Sequence, residues 1–257
     1  MNRIAMISGA SQGIGKAAAL ALAAEGYTLC LNARRHEQLQ EVLEEVHAIQ
    51  PGAHSLFVGD ITDAEVREQC FAQIVQYYER LDILINNIPG GAPDRFSTFQ
   101  PEQAIQTFTV KAVTYIDCMQ RAASLMQQQQ WGRIISLVGN FWKEPGANMF
   151  TNGMVNAAII NASKNISMEL AKYHITVNCI NPGTIVTDRY HQYISNLQSA
   201  QQWSREEAIQ SVNTAIPAQR PGTAEETASL IAYLCSPNAG YVTGQQISVD
   251  GGALRSL

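Results

Sequence analysis

The chain has 257 residues, of which 46% are hydrophobic and 15% charged, and its formal net charge is −5. That balance suits one large globular domain with a sizeable core. It argues against a nucleic-acid partner, since no cluster of Lys and Arg is present, and against a membrane span, since no apolar run reaches about 18 residues. Seven apolar runs read as strands, at residues 4–7, 27–31, 55–58, 83–85, 134–138, 176–180 and 247–249. Amphipathic segments separate them; in one, Leu39, Val42, Leu43, Val46 and Ile49 recur at helical spacing. Apolar strands alternating with helices predict an α/β fold, a parallel sheet covered on both faces and wound right-handed. One segment, 188–221, rich in Gln, Ser and Tyr, reads as irregular. No linker divides the chain, so residues 1–257 are expected to form a single doubly wound domain.

The five cysteines, Cys30, Cys70, Cys118, Cys179 and Cys235, are scattered and odd in number. They predict buried thiols rather than a disulfide framework, and a reducing cytoplasm as the compartment. The first strand begins within a few residues of the N-terminus, so no leader is expected. The five histidines are dispersed, with no metal-ligand spacing.

After the first strand the chain reads Gly9-Ala-Ser11-Gln12-Gly13-Ile14-Gly15 and then turns helical. Glycines at this spacing permit a tight turn and close approach of a pyrophosphate, which the N–H groups of a helix N-terminus bind. Three further motifs agree with it: Asp60-Ile61 after the third strand, Asn86-Asn87 after the fourth, and Pro182-Gly183…Thr187 after the sixth. With TGQQISVDGG at 243–252, these motifs make the chain resemble the short-chain dehydrogenase/reductase family over essentially its whole length. The resemblance implies a Rossmann-like fold and a dinucleotide held by Gly9, Ser11, Gly13, Ile14 and Gly15, by Asp60 and Ile61, and by Asn87, Pro182, Gly183 and Thr187. It also implies a substrate flap at 188–221. Subunit contacts are implied through the helices at 108–126 and 152–172 and the segment 243–257, giving a homodimer or homotetramer. The second strand ends Ala33-Arg34-Arg35, where an NAD-preferring member would carry an acidic residue. Guanidinium groups suit a 2′-phosphate, so NADP(H) is expected over NAD(H). Ile88-Pro89 replaces the family's Ala-Gly beside the expected nicotinamide ribose.

In the family a Ser, a Tyr-x-x-x-Lys pair and a helix Asn carry proton transfer. Aligned without gaps, these positions fall on Gly139, Asn152, Asn156 and Thr109. An amide does no acid–base work near neutral pH, so ordinary carbonyl reduction by the family mechanism is not expected. Lys143-Glu144-Pro145 resembles a divergent branch often described as 3-oxoacyl reductases, which points to an acyl-chain or carrier-linked substrate. The residues that stand as substitutes are Lys143, on a loop bordering the pocket, and the amide cluster of Asn140, Asn152 and Asn156. Tyr190, His191 and Tyr193 in the flap are further donors. Phe141, Trp142, Met149 and Phe150 suggest an aromatic rim. Three readings stay open: an NADP-linked oxidoreductase with an altered proton donor, a non-redox enzyme on the same scaffold, or a catalytically silent binding or partner subunit.

Overall fold

The computed structural model describes residues 3–256. Seven strands form one sheet: β1 (Ile4–Ser8), β2 (Thr28–Ala33), β3 (Ser55–Val58), β4 (Ile83–Asn86), β5 (Gly132–Leu137), β6 (Ile175–Pro182) and β7 (Gln246–Val249). Their order is β3-β2-β1-β4-β5-β6-β7 and every pairing is parallel. Alternate residues of β1 feed two cores. Ile4 and Met6 point to a layer holding α3 (Ala64–Tyr78), α5 (Thr114–Gln129) and α6 (Phe150–Leu170). Ala5 and Ile7 point to a layer holding α1 (Gly13–Ala24), α2 (His36–Ile49) and α9 (Ala224–Cys235). A sheet buried on both faces needs apolar side chains at every position, which is why its strands read as continuous runs. The strand order reverses between β1 and β4, and a crevice opens there at the carboxyl ends of the strands.

The helix predicted from 108 onward differs from expectation. A short α4 (Pro101–Phe108) runs into a five-residue π-helical turn, Thr109–Val113, before α5 begins. A π turn inserts an extra residue into the helical register and rotates the side chains that follow it, and such turns concentrate at functional sites. Segment 188–221 is also not irregular. It forms α7 (Asp188–Gln201) and α8 (Arg205–Ala215), which bury Tyr190, Ile194, Ala208, Val212 and Ile216 between them. Ser204 and Glu207 cap α8 reciprocally, Ser204 Oγ accepting from Glu207 N and Glu207 Oε2 from Ser204 N. The polar composition that suggested a loop belongs to the outer faces of these two helices. All five cysteines are buried and unpaired. Among the described residues, no helix is long and apolar enough to cross a membrane.

Candidate active site

The crevice is a cleft of about 610 Å³ running across the ends of β1, β2, β3 and β4. Its floor is the glycine loop between β1 and α1. Gly9 has φ +64°, and a Cβ there would lie 2.3 Å from the Asn87 carbonyl oxygen. A Cβ on Gly15 would lie 2.1 Å from the Gly9 carbonyl oxygen. Neither space admits a side chain, so the loop lies flat on Asn87, whose Nδ2 donates to Gly9 O at 3.1 Å. That leaves the N-terminal N–H groups of α1 facing the cleft, a seat for a pyrophosphate. Ser11, Gly13 and Ile14 line this stretch, and Thr187 faces Gly13 from the opposite wall. Gly15 packs beneath the loop, and Gly183 packs against Asp250 beyond the cleft. Pro182 closes β6.

At the far end of the cleft, Asp60 and Ile61 meet Arg34 and Arg35. Arg34 Nη1 stands 3.7 Å from Asp60 Oδ2, and Arg35 donates to the side-chain oxygen of Gln12. Asp60 Oδ1 accepts from Thr62 N and Oγ1 at 3.0 and 2.8 Å. Buried Arg67 braces the same turn, donating to the carbonyls of Ile61 and Thr62 at 3.0 Å and pairing with Asp117 of α5. The glycine cradle at one end and two guanidinium groups at the other fit a dinucleotide carrying a 2′-phosphate.

The aligned position Asn152 lies directly against Gly90, which lines the cleft, and the three amides do not act as one cluster. Asn140 Nδ2 donates to Asp250 Oδ2 at 3.3 Å. Asn152 Nδ2 donates to the carbonyls of Gly91 and Ala92, both at 3.2 Å, so this side chain ties down the loop that follows β4. Asn156 Nδ2 donates to Gly139 O at 3.1 Å, which turns its Oδ1 the other way. There it meets a residue that sequence patterning had not singled out: Lys111 Nζ donates to Asn156 Oδ1 at 2.9 Å. Thr109, the position aligned with the family's Asn, is exposed. Two residues on, the π turn carries Lys111 inward, where it is 5% exposed.

Burial and then the Arg189 guanidinium push the Lys111 amine down to about 8. Beneath it lies Tyr115, fully buried, with its ring centroid 5.9 Å from Lys111 Nζ. The Tyr115 hydroxyl accepts from Ile88 N at 2.9 Å and reaches the carbonyls of Ile88 and Leu137, both at 3.1 Å. It therefore clamps the Ile88-Pro89 turn to the end of β5, and Ile88, Pro89 and Gly90 line the cleft in that position. Burial raises the Tyr115 phenol out of reach of ordinary acid–base work. A Cβ on Gly139 would meet only Asn156 Nδ2, at 3.4 Å, so positions 139 and 156 are neighbours around open space.

The other expected donors are placed elsewhere. Lys143 is half-buried on the loop after β5. His191 is exposed beside Arg205, Tyr193 is exposed, and Tyr190 belongs to the small core between α7 and α8. Phe150 packs edge-on against Phe96 and Phe99 at the outer rim. The signal for Lys111 was present in the sequence. Lys111, Tyr115, Cys118 and Ala122 fall on one helical stripe whose other members are apolar, which places a lysine on a buried face.

The chain is similar to known proteins over nearly its whole length. A family model described as enoyl-(acyl carrier protein) reductase matches residues 9–253. The NADPH-dependent reductase BacG of Bacillus subtilis (strain 168) is 52% identical over 256 residues, 99% of each chain. A 3-oxoacyl-[acyl-carrier-protein] reductase, FabG of Staphylococcus aureus (strain Mu50 / ATCC 700699), is 31% identical over 260 residues, 98% of each chain. The crystal structure of YwfH, an NADPH-dependent reductase involved in bacilysin biosynthesis, superimposes with a TM-score of 0.96 at 52% identity, covering 100% of both chains.

Proposed function

The chain belongs to the short-chain dehydrogenase/reductase family, and from that premise we propose that it is an NADPH-dependent reductase whose proton donor is the buried Lys111. The observation that carries this reading is the 2.9 Å contact between Lys111 and Asn156, the residue aligned with the lysine that in the family tunes the proton-donating tyrosine. The non-redox reading rested on an uncharged amide cluster, whose members here bond to separate partners, and the silent reading on the loss of all four family residues, for which Lys111 offers a titratable substitute.

NADP(H) is the preferred cofactor, as in the BacG and YwfH reductases. When bound it supplies a hydride to the acceptor carbon. Asn156 holds the Lys111 ammonium in place and leaves two of its N–H bonds free. Lys111 gives one proton to the atom that gains negative charge and recovers it from solvent. An amine near 8 remains mostly protonated at neutral pH yet gives up its proton more readily than an ordinary lysine. Tyr115 and Asn152 fix the loop between them and carry no proton themselves.

A second reading of the acceptor is a conjugated C=C rather than a C=O. Positions 139 and 152 bring no hydroxyl to hold a carbonyl oxygen, and the matching family model is described as an enoyl reductase. NADPH consumption by the wild type against matched ketones and conjugated enones, with the products identified, tests both. Consumption with neither class, by protein that binds NADPH, would remove the reductase reading. An acyl-chain or carrier-linked substrate, as in the FabG relative, belongs to the same panel.

The cofactor preference has its own expected result. Replacing Arg34 and Arg35 by Ala should lower the NADPH-to-NADH affinity ratio at least about tenfold, because each charge-assisted contact to phosphate contributes about 1.5–3 kcal/mol. Titration of both nucleotides checks this, and an unchanged ratio would contradict it.

Assembly as a homodimer or homotetramer is part of the proposal. Exposed apolar side chains on α4 and α6, namely Ile105, Phe108, Met154 and Met168, support a partner surface there. The sedimentation mass is expected at two or four times 28.1 kDa. A mass near the single-chain value at micromolar concentration would count against it.

A further inference from the structure

Arg67 projects from the first turn of α3 and is 6% exposed. A buried guanidinium is costly unless its N–H groups are used, and an apolar side chain would serve packing alone at less cost. The groups that use these N–H bonds come from two separate parts of the chain. Nη1 donates to the carbonyls of Ile61 and Thr62, both at 3.0 Å, and these two residues line the cleft beside Asp60. Nε donates to Asp117 Oδ2 at 2.5 Å, and Nη1 makes a longer contact of 3.5 Å with Thr114 Oγ1, both residues on α5. Thr114 Oγ1 in turn donates to Thr109 O at 3.4 Å, across the π turn. That turn brings Val110 to the cleft wall and Lys111 into the core. Each end of the connection is itself held. Arg121 Nε reaches the two Asp117 oxygens at 3.2 and 3.3 Å, and Asp60 Oδ1 accepts from Thr62 N at 3.0 Å.

One side chain therefore joins two walls of the cleft, the turn after β3 and the π turn before α5. Accepting the NADP(H) reading above, we propose that Arg67 is a positioning residue that couples the adenine end of the cleft to the π turn, so that seating the adenosine half of the cofactor orders the turn that carries Lys111. The physical route is short and made of direct contacts. Adenosine packed on residues 60–62 restrains the two carbonyls that hold the guanidinium. The guanidinium is planar and rigid, so fixing one edge of it fixes the other, which grips the first turn of α5. Ordering that the nucleotide has already supplied need not be supplied again when a substrate binds at the inner end. A lysine at position 67 would keep the charge but not the fork, and could not hold both walls in one plane.

Amide hydrogen exchange on the full-length protein tests the coupling without turnover. The probe is adenosine 2′,5′-bisphosphate, which carries the adenine and the 2′-phosphate but no nicotinamide, so it fills the outer end of the cleft alone. In the wild type, saturation with it is expected to slow exchange at residues 59–62 and also at residues 109–115, the latter by at least about fivefold, the lower end of ordinary coupling between sites. Arg67→Lys removes the fork, and Asp117→Ala cuts the connection on the α5 side while leaving the bonds to Ile61 and Thr62. Each variant, compared with and without the probe, should keep the slowing at 59–62 and lose it at 109–115, and either variant alone decides. A residue that only supported the fold would change exchange at both places alike, whether or not the probe is bound. No slowing at 109–115 in the wild type overturns the proposal, and so does a variant that keeps it. A wild type that fails to bind the bisphosphate overturns it too, since the turn held by Arg67 would then not be a nucleotide wall. Coupling in a protein that consumes NADPH with no substrate leaves the role of Arg67 standing and sinks the reductase reading alone.

Discussion

Replacing Lys111 by Met is expected to lower NADPH-dependent turnover by about 10²–10⁴-fold, the range for loss of a general acid, and at the same time to raise the melting temperature. The first effect follows from the proposed role. The second follows from linkage. The Lys111 amine titrates near 8 in the folded protein and near 10.5 in the unfolded chain. The unfolded chain therefore binds more protons between those two values, and stability rises as pH rises through that window. Below about 8 the folded state carries the full cost of a buried ammonium. A tenfold loss of proton affinity corresponds to about 1.36 kcal/mol, so the cost is on the order of 3 kcal/mol at neutral pH. Met fills similar volume without a charge, while Asn156 Oδ1 loses its partner at a cost of about 1–3 kcal/mol. A net gain of roughly 1 kcal/mol corresponds to about 2–4 °C for a chain of this size. The rate of the wild type should also fall as pH rises past about 8, where the donor loses its proton. Thermal melts and initial rates across about pH 6–10 check all three. A Lys111→Met variant that keeps its activity, or a flat wild-type pH profile above about 8, would move the proton donor elsewhere.

The second large effect concerns restoration of the family's residues. Gly139→Ser, Asn152→Tyr and Asn156→Lys together should fail to create ketoreductase activity, and should destabilise the protein, while Lys111 is present. The serine has room, since a Cβ at 139 meets only Asn156 Nδ2 at 3.4 Å. The lysine does not fit electrically. It would put a second ammonium where Asn156 Oδ1 now accepts from Lys111 at 2.9 Å, and two like charges about 4 Å apart repel by about 4 kcal/mol at an effective dielectric of about 20. The tyrosine removes both hydrogen bonds to the Gly91 and Ala92 carbonyls. Adding Lys111→Asn to the three replacements clears the charge conflict and is expected to yield at least about tenfold more ketone reduction than the three alone. Thr109→Asn, which the gapless alignment suggests, is expected to add nothing, because Thr109 is exposed. Rates on a simple ketone, with melting curves to confirm folding and NADPH titration to confirm binding, decide the matter. Activity in the three-residue graft with Lys111 intact would contradict the placement of the two amines.

The sequence by itself determined the frame and the cofactor end. Continuous apolar runs mark strands buried on both faces, and helical spacing marks the layers that bury them, so seven strands were legible to within a few residues. The nucleotide cradle was legible because its chemistry is local. Gly9, Gly13 and Gly15 sit within one turn, and Arg34 and Arg35 are adjacent. Only the tertiary structure decided the catalytic end, because its chemistry is not local. Lys111 and Asn156 are 45 residues apart and meet because a π turn rotates one into a helix packed on the other. A lysine in a helix is ordinarily solvated, so the segment TFTVKAV gave no warning of burial apart from the apolar stripe it shares. Asn152 reads as a polar group facing a substrate, yet its amide is spent on a loop 60 residues upstream. Arg189 reads as a surface residue of a polar segment, and it lines the cleft because α7 and α8 bury their apolar faces against each other and fix where α7 begins. Burial sets the charge of Lys111, and long-range pairing and packing set where the three side chains reach; neither is written in the residues beside them.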